Sequence, residues 1–460
     1  MSPPEPATLR RLLDAAQAPP DAVFAEAGVA ARHSDAATGT VLAGRARELA
    51  GRSILMRVKS QLTSALALIE LDGVVSRLTI CPPDFTAERI GSAIVQAQVD
   101  AVVCDADEME FGAGVERFEV APLAVSDAAE DAAPVVTEWA LPTSGTTGAP
   151  KLVAHRLSGL LGAIRPQEPG APAPVWATFY DIRRYGGLQV FLRAASGGAT
   201  LVLSTEGEPL VEHVERMRAA GATHVVGTPS HWRRLLMSPH ANRIAPEYVR
   251  LSGEIVDRAV LEALKTTYPA ARIVHAYATT EAGVGFEVAD GAEGFPASFV
   301  GGLADVELRV VDGSLHVRSA RAASRYVGQG DIRLVGDDGF VDTDDMVERR
   351  GERYVFKGRR AGVINVGGLK VHPEEVEQVI ALHEHVRMAL VKARRSPIVG
   401  DIIVADVVLK DAAPTPSERA ALRDDILAHC RARLERHQAP AVVNFVQSLD
   451  MHAGGKLARR

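Results

Sequence analysis

The sequence predicts an α/β protein with a large N-terminal domain of layered, mostly parallel sheets and helices, followed by a small α+β domain. A chain of 460 residues exceeds one ordinary core, so two or more domains are expected. Short apolar runs alternate with amphipathic segments along most of the chain, which is typical of parallel sheets covered by helices. Toward the C-terminus the pattern changes to closely spaced strands and then to a basic, glycine-rich segment.

The alternating region supplies the parallel strands of the predicted large domain. The clearest candidates are Ala101–Cys104, Ala199–Leu203, His224–Val226 and Ile273–Val274. Each lies near a helix-like stretch, as strands of a parallel sheet do.

A β-rich sub-region is expected between Leu303 and about Tyr354. Its strands are separated by Asp312-Gly313 and Asp338-Gly339, which are typical hairpin turns. The segment Lys357–Gly362 then marks the expected boundary, giving domains of residues 1–357 and 358–460.

In the C-terminal domain, Pro373 begins a predicted helix from Glu374 to Ala381. Proline suits the first helical position, and acidic residues suit the first turn. A strand from Ile402 to Leu409 and a helix from Ser417 to Leu434 complete this domain.

Composition excludes several classes of function. The formal net charge is −7 and the basic residues are scattered, so no nucleic-acid partner is expected. Cys81, Cys104 and Cys430 match no disulfide or metal-site spacing and are interpreted as reduced structural thiols. Without a signal peptide or an apolar span, the expected location is cytoplasmic, with no membrane partner. His383 and His385 are interpreted as surface residues at a helix end rather than metal ligands.

The sharpest motif is the nine-residue segment Thr143–Lys151. Its glycines let backbone N–H groups approach a polyphosphate, its hydroxyls can donate to phosphate oxygens, and Lys151 adds a positive charge. It differs from the common nucleotide-binding loop, because Pro150 stands where that pattern needs its second glycine. The proposed phosphate contacts are Thr143, Ser144, Gly145, Thr146, Thr147, Gly148 and Lys151.

This order of residues resembles the adenylate-forming superfamily of acyl-CoA synthetases, nonribosomal peptide adenylation domains and luciferases. The segment Tyr277–Glu281 resembles the family's Tyr-Gly-x-Thr-Glu. The resemblance implies that Thr280 contacts the α-phosphate, Glu281 holds Mg²⁺ and Tyr277 packs near adenine. It also implies that Gly253 and Glu254 belong to the ATP site.

Further matches follow in the family's order. Thr343-Asp344-Asp345 resembles Thr-Gly-Asp, so Asp345 is expected to bind the ribose hydroxyls. Arg359 belongs to a segment like the family's interdomain hinge, which places the hinge at Ala361 and implies a mobile C-terminal domain. Because Ala361 has no polar side chain, rotation is expected there without a polar latch. The resemblance places Lys456 between the substrate carboxylate and the α-phosphate, and it places Gly367, Gly368 and Lys370 on the path of the thiol.

The resemblance also locates an acyl pocket that is polar and aromatic rather than a long apolar tunnel. Its expected lining residues are Tyr180, Asp181, Arg184, His231 and Trp232. These side chains favour a small aromatic or polar acid. A solvated edge formed by Arg183 and Arg184 is the alternative interpretation of the two arginines.

The function implied is ATP-dependent activation of a carboxylic acid to acyl-AMP, followed by thioester formation with coenzyme A. Such chemistry needs its negative charges neutralised but no general base, because the carboxylate is already ionised. ATP, Mg²⁺ and coenzyme A are the expected cofactors. One alternative is a ligase that loads the phosphopantetheine arm of an acyl carrier protein. A second alternative is a non-catalytic module that binds acyl-AMP or ATP, which the presence of Lys151, Glu281 and Lys456 together disfavours. A third alternative is a phosphate-cleaving NTPase.

Overall fold

The computed structural model describes residues 8–109, 111–112, 114–125, 134–143, 150–166, 170, 172–328, 330, 332–366, 369–396, 400–410, 415–450 and 457. The strands are β1 (Val23–Glu26), β2 (Val29–Arg32), β3 (Gly39–Thr40), β4 (Ser53–Arg57), β5 (Arg77–Ile80), β6 (Ala101–Cys104), β7 (Glu116–Glu119), β8 (Ala124–Val125), β9 (Glu138–Pro142), β10 (Leu152–Arg156), β11 (Trp176–Thr178), β12 (Leu201–Val202), β13 (His224–Gly227), β14 (Tyr248–Ser252), β15 (Arg272–Thr279), β16 (Gly283–Val288), β17 (Phe295–Pro296), β18 (Glu307–Val311), β19 (Ser314–Arg318), β20 (Arg325–Tyr326), β21 (Val341–Arg350), β22 (Arg353–Arg359), β23 (Ile364–Val366), β24 (Leu369–Val371), β25 (Val386–Ser396), β26 (Gly400–Leu409) and β27 (Val442–Phe445). The helices are α1 (Leu9–Ala15), α2 (His33–Thr38), α3 (Gln61–Leu71), α4 (Ala87–Ala97), α5 (Leu157–Leu161), α6 (Tyr185–Ser196), α7 (Leu210–Ala219), α8 (Pro229–Leu236), α9 (Arg258–Thr267), α10 (Pro373–Ala381) and α11 (Pro416–Arg431).

Two large mixed sheets carry the N-terminal part of the chain. One has the strand order β16-β15-β14-β13-β11-β12-β1-β2, and the other has β20-β10-β9-β5-β4-β6-β7. Their central strands pair in parallel. All four residues of β6 are buried, as expected for a strand covered on both faces. The predicted α/β class with layered, mostly parallel sheets is therefore confirmed.

The predicted strand at Ala199–Leu203 is shorter than expected, because only Leu201 and Val202 are paired as β12. The backbone N–H of Ala199 is still used at the end of α6, where it bonds to the carbonyl of Ala194. The chain therefore leaves the helix C-terminus and enters the strand within a few residues.

The β-rich sub-region is present as an antiparallel sheet in the order β17-β22-β21-β19-β18. Strands β18 and β19 form a hairpin whose turn residues, Asp312 and Gly313, have φ angles of 49° and 78°. Positive φ at both central residues is the turn geometry that matches the twist of two antiparallel strands. The Asp-Gly signal therefore predicted this hairpin correctly.

The described residues from 364 onward include a separate sheet in the order β24-β23-β26-β25, with β27 parallel to β26. Helices α10 and α11 contribute buried residues to its core, including Val376, Ile380, Ile426 and Cys430. Helix α10 begins at Pro373 as predicted. Helix α11 is capped by reciprocal bonds between Thr415 and Glu418, and it ends at Arg431 rather than at the predicted Leu434.

The interpretation of His383 as a surface residue is wrong. Its side chain is buried, its Nε2 lies 3.0 Å from Oδ2 of Asp425, and its ring packs edge-on against His429. It links the end of α10 to α11, whereas the side chain of His385 is half exposed. Within the described residues, no group of three His, Cys, Asp or Glu side chains is arranged to hold a metal ion.

All three cysteines are free thiols in the interior. Burial raises the pKa of Cys81 and of Cys430 to about 11. Both thiols are therefore protonated and unreactive at neutral pH. Across the described ranges, no helix is both long enough and apolar enough to cross a membrane.

Candidate active site

The predicted nucleotide residues follow neighbouring parallel strands. Strands β13, β14 and β15 pair in parallel, so their carboxyl ends lie at one edge of the eight-stranded sheet. Gly253 and Glu254 follow β14, while Thr280 and Glu281 follow β15. The carboxyl edge of an open parallel sheet is the usual place for a ligand.

Three predicted site residues that are distant in sequence meet beside this edge. The hydroxyl of Tyr277 donates to Oδ2 of Asp345 over 2.7 Å, and Nε of Arg359 donates to Oδ1 of the same carboxylate over 3.2 Å. Burial and the Asp345 charge hold the pKa of Tyr277 well above its ordinary value, so the phenol remains a donor. The Tyr277 ring stacks on Phe286 and Phe356. This arrangement fixes the Asp345 carboxylate beside a cluster of stacked aromatic rings.

Replacing Asp345 with alanine is expected to weaken ATP binding by about 1–3 kcal/mol, because charge-assisted hydrogen bonds to the ribose hydroxyls are lost. The measurement is the ATP dependence of the reaction, with the preference among acids unchanged. Asp344→Ala is the matched control and should leave ATP affinity intact. The opposite result, with Asp344 alone affecting ATP affinity, would move the ribose contact to Asp344.

Glu254 connects the sheet edge to the C-terminal end of the chain. Its carboxylate accepts hydrogen bonds from N and Oγ of Ser230, at 2.9 and 3.0 Å, and from the backbone N–H of Leu457 at 3.2 Å. Leu457 directly follows Lys456, which lies outside the described residues. The structure therefore brings the residue next to Lys456 into contact with a predicted ATP-site residue more than 200 positions away.

The loop bearing Thr280 and Glu281 is anchored by His155, a residue that sequence reasoning missed. Burial lowers the pKa of His155 to about 4, so the imidazole is neutral and its Nε2–H donates to the Thr280 carbonyl over 2.7 Å. The backbone N–H of Ala323 donates to the Glu281 carbonyl over 2.9 Å. His155 lies on β10, immediately after the phosphate loop. The sequence signal that could have identified His155 is its position directly after the apolar run Leu152–Ala154 of β10.

His155 predicts a pH dependence of stability. Its pKa is lowered on folding, so the unfolded chain binds a proton more readily below about pH 6.5. The stability that neutral His155 provides is therefore present above pH 6.5 and is lost as pH falls toward 4. At pH 5 this loss is about 2 kcal/mol.

The prediction is tested by urea unfolding of wild type and His155→Gln at pH 7 and pH 5. Glutamine retains an N–H donor but does not titrate, so the variant should lose about 2 kcal/mol less than wild type on acidification. His385→Gln, at a half-exposed position, is the control and should follow wild type. Equal losses in wild type and His155→Gln would contradict the assignment.

The ends of the predicted phosphate loop are held together by strands β9 and β10, which pair antiparallel. The backbone N–H of Thr143 donates to the carbonyl of Lys151 over 2.9 Å, and Nζ of Lys151 lies 5.7 Å from the centre of the Tyr326 ring. The loop residues Ser144, Gly145, Thr146, Thr147 and Gly148 lie outside the described residues. The two described ends of this segment, Thr143 and Lys151, therefore lie side by side.

A magnesium ion is implied by the resemblance, and Glu281 is the residue expected to hold it. One protein carboxylate fits Mg²⁺, which is commonly bound by one or two carboxylates together with nucleotide phosphates and water. Glu281 lies two residues beyond the end of β15, at the same edge as Glu254, and this position fits the requirement.

The five residues expected in the acyl pocket separate in the structure. Tyr180 lines a cavity between α6 and the eight-stranded sheet, and its hydroxyl donates to the Ser252 carbonyl over 2.8 Å. Asp181 instead forms a buried ion pair of 2.7 Å with Arg183. The alternative of a solvated edge is therefore wrong for Arg183. Arg184 pairs with Asp84.

The side chains of the remaining two residues, His231 and Trp232, make contacts within the fold. His231 completes the cap of α8, where its Nδ1 accepts the N–H of Thr228 over 3.1 Å. Trp232 is fully buried in a hydrophobic cluster, and its indole N–H donates to the Arg250 carbonyl. Neither side chain is among those that line the cavity between α6 and the sheet.

That cavity includes two arginines that the sequence analysis did not select. Arg193 lies on α6 and Arg250 on β14, and the other walls are mainly aromatic and aliphatic. Ala278, two residues before Thr280, also lines the cavity. The space therefore adjoins the loop expected to contact the α-phosphate.

The hinge predicted at Ala361 makes a hydrogen bond through its backbone, which the apolar side chain of Ala361 gave no reason to expect. The backbone N–H of Ala361 donates to Oδ2 of Asp344 over 3.2 Å. Asp344 has a φ of 61°, in the left-handed region that favours glycine, which is the residue the family pattern has there. Lys370 is exposed on β24, while Gly367 and Gly368 lie outside the described residues.

Comparison with known proteins agrees with this architecture. The AMP-binding enzyme family matches residues 56–323, and the AMP-binding enzyme C-terminal domain matches residues 375–456. The chain is 30% identical over 258 residues to a 2-succinylbenzoate–CoA ligase of Salmonella typhimurium (54% of this chain, 53% of the relative). It is 27% identical over 395 residues to a benzoate–CoA ligase of Thauera aromatica (75% and 67%).

A solved benzoate CoA ligase from Burkholderia xenovorans LB400 shares the fold, with a TM-score of 0.77 at 20% identity over 98% of this chain and 99% of that chain. The chain spans about half the length of the first curated relatives that it matches. Because the family match covers residues 56–323 and a second match covers the C-terminal part, the chain belongs to the AMP-binding enzyme family, within the adenylate-forming superfamily.

Proposed function

We propose that the chain is an AMP-forming acid–thiol ligase, which activates a carboxylic acid with ATP and transfers the acyl group to coenzyme A. The observation that carries this proposal is the bond from Leu457 to Glu254. It supports the proposal because Leu457, the residue after Lys456, contacts Glu254 at the sheet edge after which Thr280 and Glu281 also follow. A module that only binds a nucleotide does not need its C-terminal segment at this sheet edge. An enzyme that adenylates a carboxylate needs a cation at this edge.

In the first half-reaction, a carboxylate oxygen attacks the α-phosphorus and pyrophosphate leaves. Lys456 neutralises the attacking carboxylate and the charge that develops at the α-phosphate, while Lys151 and the loop amides bind the departing phosphates. Asp345 and Tyr277 hold the ribose and adenine. Mg²⁺ on Glu281 would supply further positive charge at the phosphates.

In the second half-reaction, a thiolate attacks the acyl carbon and AMP leaves. The C-terminal domain of residues 358–460 is proposed to rotate about Ala361, which withdraws Lys456 and brings Gly367, Gly368 and Lys370 to the thiol path. Large changes of this kind are absorbed by a few backbone dihedral angles. The basic hinge segment between β22 and β23 is short enough to act in this way.

The preferred substrate is a small aromatic or polar acid, because Tyr180, Tyr185 and Trp176 supply flat walls to the cavity. Several relatives are named as ligases of aromatic acids, the benzoate–CoA ligase among them. Coenzyme A is the preferred acceptor, and the phosphopantetheine arm of a carrier protein is the alternative. The proposed location is cytoplasmic.

The test is exchange of labelled pyrophosphate into ATP with a panel of small acids, followed by thiol consumption with the best acid. We expect exchange that depends on the acid, and faster thioester formation with coenzyme A than with a phosphopantetheinylated carrier protein. The reverse acceptor preference would favour the carrier-loading alternative. ATP binding without exchange for any acid would instead favour a non-catalytic module.

A further inference from the structure

The short strand β20 connects the end of the predicted phosphate loop at Lys151 to the segment that carries Glu281. It pairs antiparallel with β10, and Tyr326 lies directly opposite Val153. Three residues before Tyr326, the backbone N–H of Ala323 donates to the Glu281 carbonyl over 2.9 Å. The backbone around Tyr326 is therefore held by both of the segments expected to bind the phosphates of ATP.

The two residues of β20 face opposite sides, as neighbours in a strand do. Nη2 of Arg325 pairs with Oε2 of Glu138 over 2.6 Å. On the other face, the centre of the Tyr326 ring lies 5.7 Å from Nζ of Lys151. Lys151 is two positions before Val153, so Lys151 and Tyr326 are diagonal neighbours across the two strands. A long side chain and an aromatic ring can reach each other at that spacing.

The contact between Lys151 and Tyr326 leaves the positive charge of the lysine available. Among the described residues, Lys151 forms no ion pair with a carboxylate. A carboxylate partner would neutralise the ammonium group, whereas an aromatic face attracts a cation through its quadrupole and carries no net charge. The ring can therefore order this cation while its charge remains free to act on a phosphate.

Glu281 is the anion that could otherwise capture this lysine. Burial and the charge of Glu281 raise the pKa of Tyr326, so the carboxylate is near enough to act on the phenol. The Tyr326 ring thus lies close to both the loop lysine and the residue expected to hold Mg²⁺. An ion pair between Lys151 and Glu281 would oppose both functions, because each charge is needed at the nucleotide.

We propose that Tyr326 is a positioning residue whose aromatic face holds the ammonium group of Lys151 ready for the β- and γ-phosphates of ATP. This inference rests on the proposed adenylation and adds a residue to it. A lysine side chain has several rotatable bonds, and ordering it costs conformational entropy. The ring orders it before ATP binds and keeps it away from Glu281.

The first test compares Tyr326→Phe, which keeps the ring, with Tyr326→Leu, which keeps an apolar side chain but removes the aromatic face. The measurement is kcat/KM for ATP in ATP–pyrophosphate exchange with a saturating acid. We expect Tyr326→Phe to stay within about twofold of wild type and Tyr326→Leu to fall about fivefold, the scale of an exposed cation–π contact. Equal falls in the two variants would contradict the inference, because they would assign the effect to the hydroxyl.

The second half-reaction provides a readout that a structural defect would change. Acyl-AMP no longer carries the phosphates on which Lys151 acts, so Tyr326→Leu should form thioester from supplied acyl-AMP at the wild-type rate. Arg325→Leu is the matched control, because it alters the opposite face of the same strand. It should leave both half-reactions unchanged. Loss of both half-reactions in Tyr326→Leu would show a structural effect and overturn the inference.

A double-mutant cycle tests whether Tyr326 acts through Lys151. Lys151→Met removes the charge and nearly keeps the length of the side chain. The dissociation constant of ATP with Mg²⁺ is measured without acid, so the comparison requires no turnover. We expect Tyr326→Leu to raise this constant about fivefold in the wild-type background and less than about twofold in the Lys151→Met background. Equal increases in both backgrounds would overturn the inference.

The outcomes separate this inference from the proposed function. If Lys151→Met weakens ATP binding and exchange while Tyr326→Leu does neither, the inference is wrong and the adenylating function stands. If wild type supports no exchange with any acid, the proposed function fails, and the cycle on ATP binding still decides whether Tyr326 acts through Lys151. If Lys151→Met changes neither ATP binding nor exchange, the role of Lys151 and the inference are both overturned.

Discussion

Replacing Lys456 with alanine is expected to abolish adenylation, lowering the rate of ATP–pyrophosphate exchange by about a hundredfold or more. A preorganised cation that acts on the reacting oxygens contributes on this scale, because the charge develops in the transition state. Thioester formation from supplied acyl-AMP should continue, since Lys456 has no part in the thiol step. The measurement is exchange and thioester formation on the same preparation.

Lys265→Ala, on the surface helix α9, is the matched control and should retain both half-reactions. An additional variant, Glu254→Gln, tests the anchor of the chain beside Lys456, because it weakens the acceptor of the Leu457 N–H. Exchange that survives Lys456→Ala within a factor of a few would show that the role assigned to Lys456 is wrong.

Ala361→Pro is expected to separate the two half-reactions. Proline fixes φ near −65° and restricts Arg360 before it. In the structure, residues 360–362 form a short 3₁₀ turn. The φ of this turn at position 361 suits proline, whereas Arg360 is pushed from helical toward extended dihedral angles. We expect the φ at position 361 to dominate and to hold the hinge in the conformation with Leu457 at Glu254. Pyrophosphate exchange should therefore stay near the wild-type rate, while thioester formation falls by orders of magnitude even when acyl-AMP is supplied.

The structure adds a control for this experiment. Proline also removes the N–H that Ala361 donates to Asp344, a bond whose loss costs about 1 kcal/mol. Asp344→Gly removes the same bond, suits the positive φ, and leaves the hinge free to rotate. It should retain both half-reactions. Equal effects of the two variants would assign the result to the lost bond, and a decline in both half-reactions of Ala361→Pro would contradict a hinge at this residue.

Local patterns predicted the parts of this protein that depend on local chemistry. The Asp312-Gly313 hairpin and the start of α10 at Pro373 follow from backbone preferences that act over a few residues. The order of motifs also identified Tyr277, Asp345 and Arg359 as candidate site residues, each from its own motif. The network that joins them required the structure, because it forms between β15, β21 and β22.

The other predictions were less accurate, because they depend on burial and on pairing between residues that are far apart in the sequence. Trp232 follows a polar segment in sequence, yet the fold of α8 against the sheet places it in the core. Arg193 and Arg250 belong to a helix and a strand that are mostly apolar. Their shared partner, Glu287, lies 94 and 37 positions further along the chain. Nothing within a local window indicates that these charges meet.

The most direct test of the central claim follows the oxygen atoms of the acid. The enzyme is given ATP, coenzyme A and an acid labelled with ¹⁸O in both carboxylate oxygens, and the phosphorus products are examined by mass spectrometry. Attack of the carboxylate on the α-phosphorus, followed by thiol attack on the acyl carbon, leaves one ¹⁸O in AMP and none in pyrophosphate. Label in inorganic phosphate together with ADP, or unlabelled AMP formed with a thioester, would contradict an acyl-AMP intermediate.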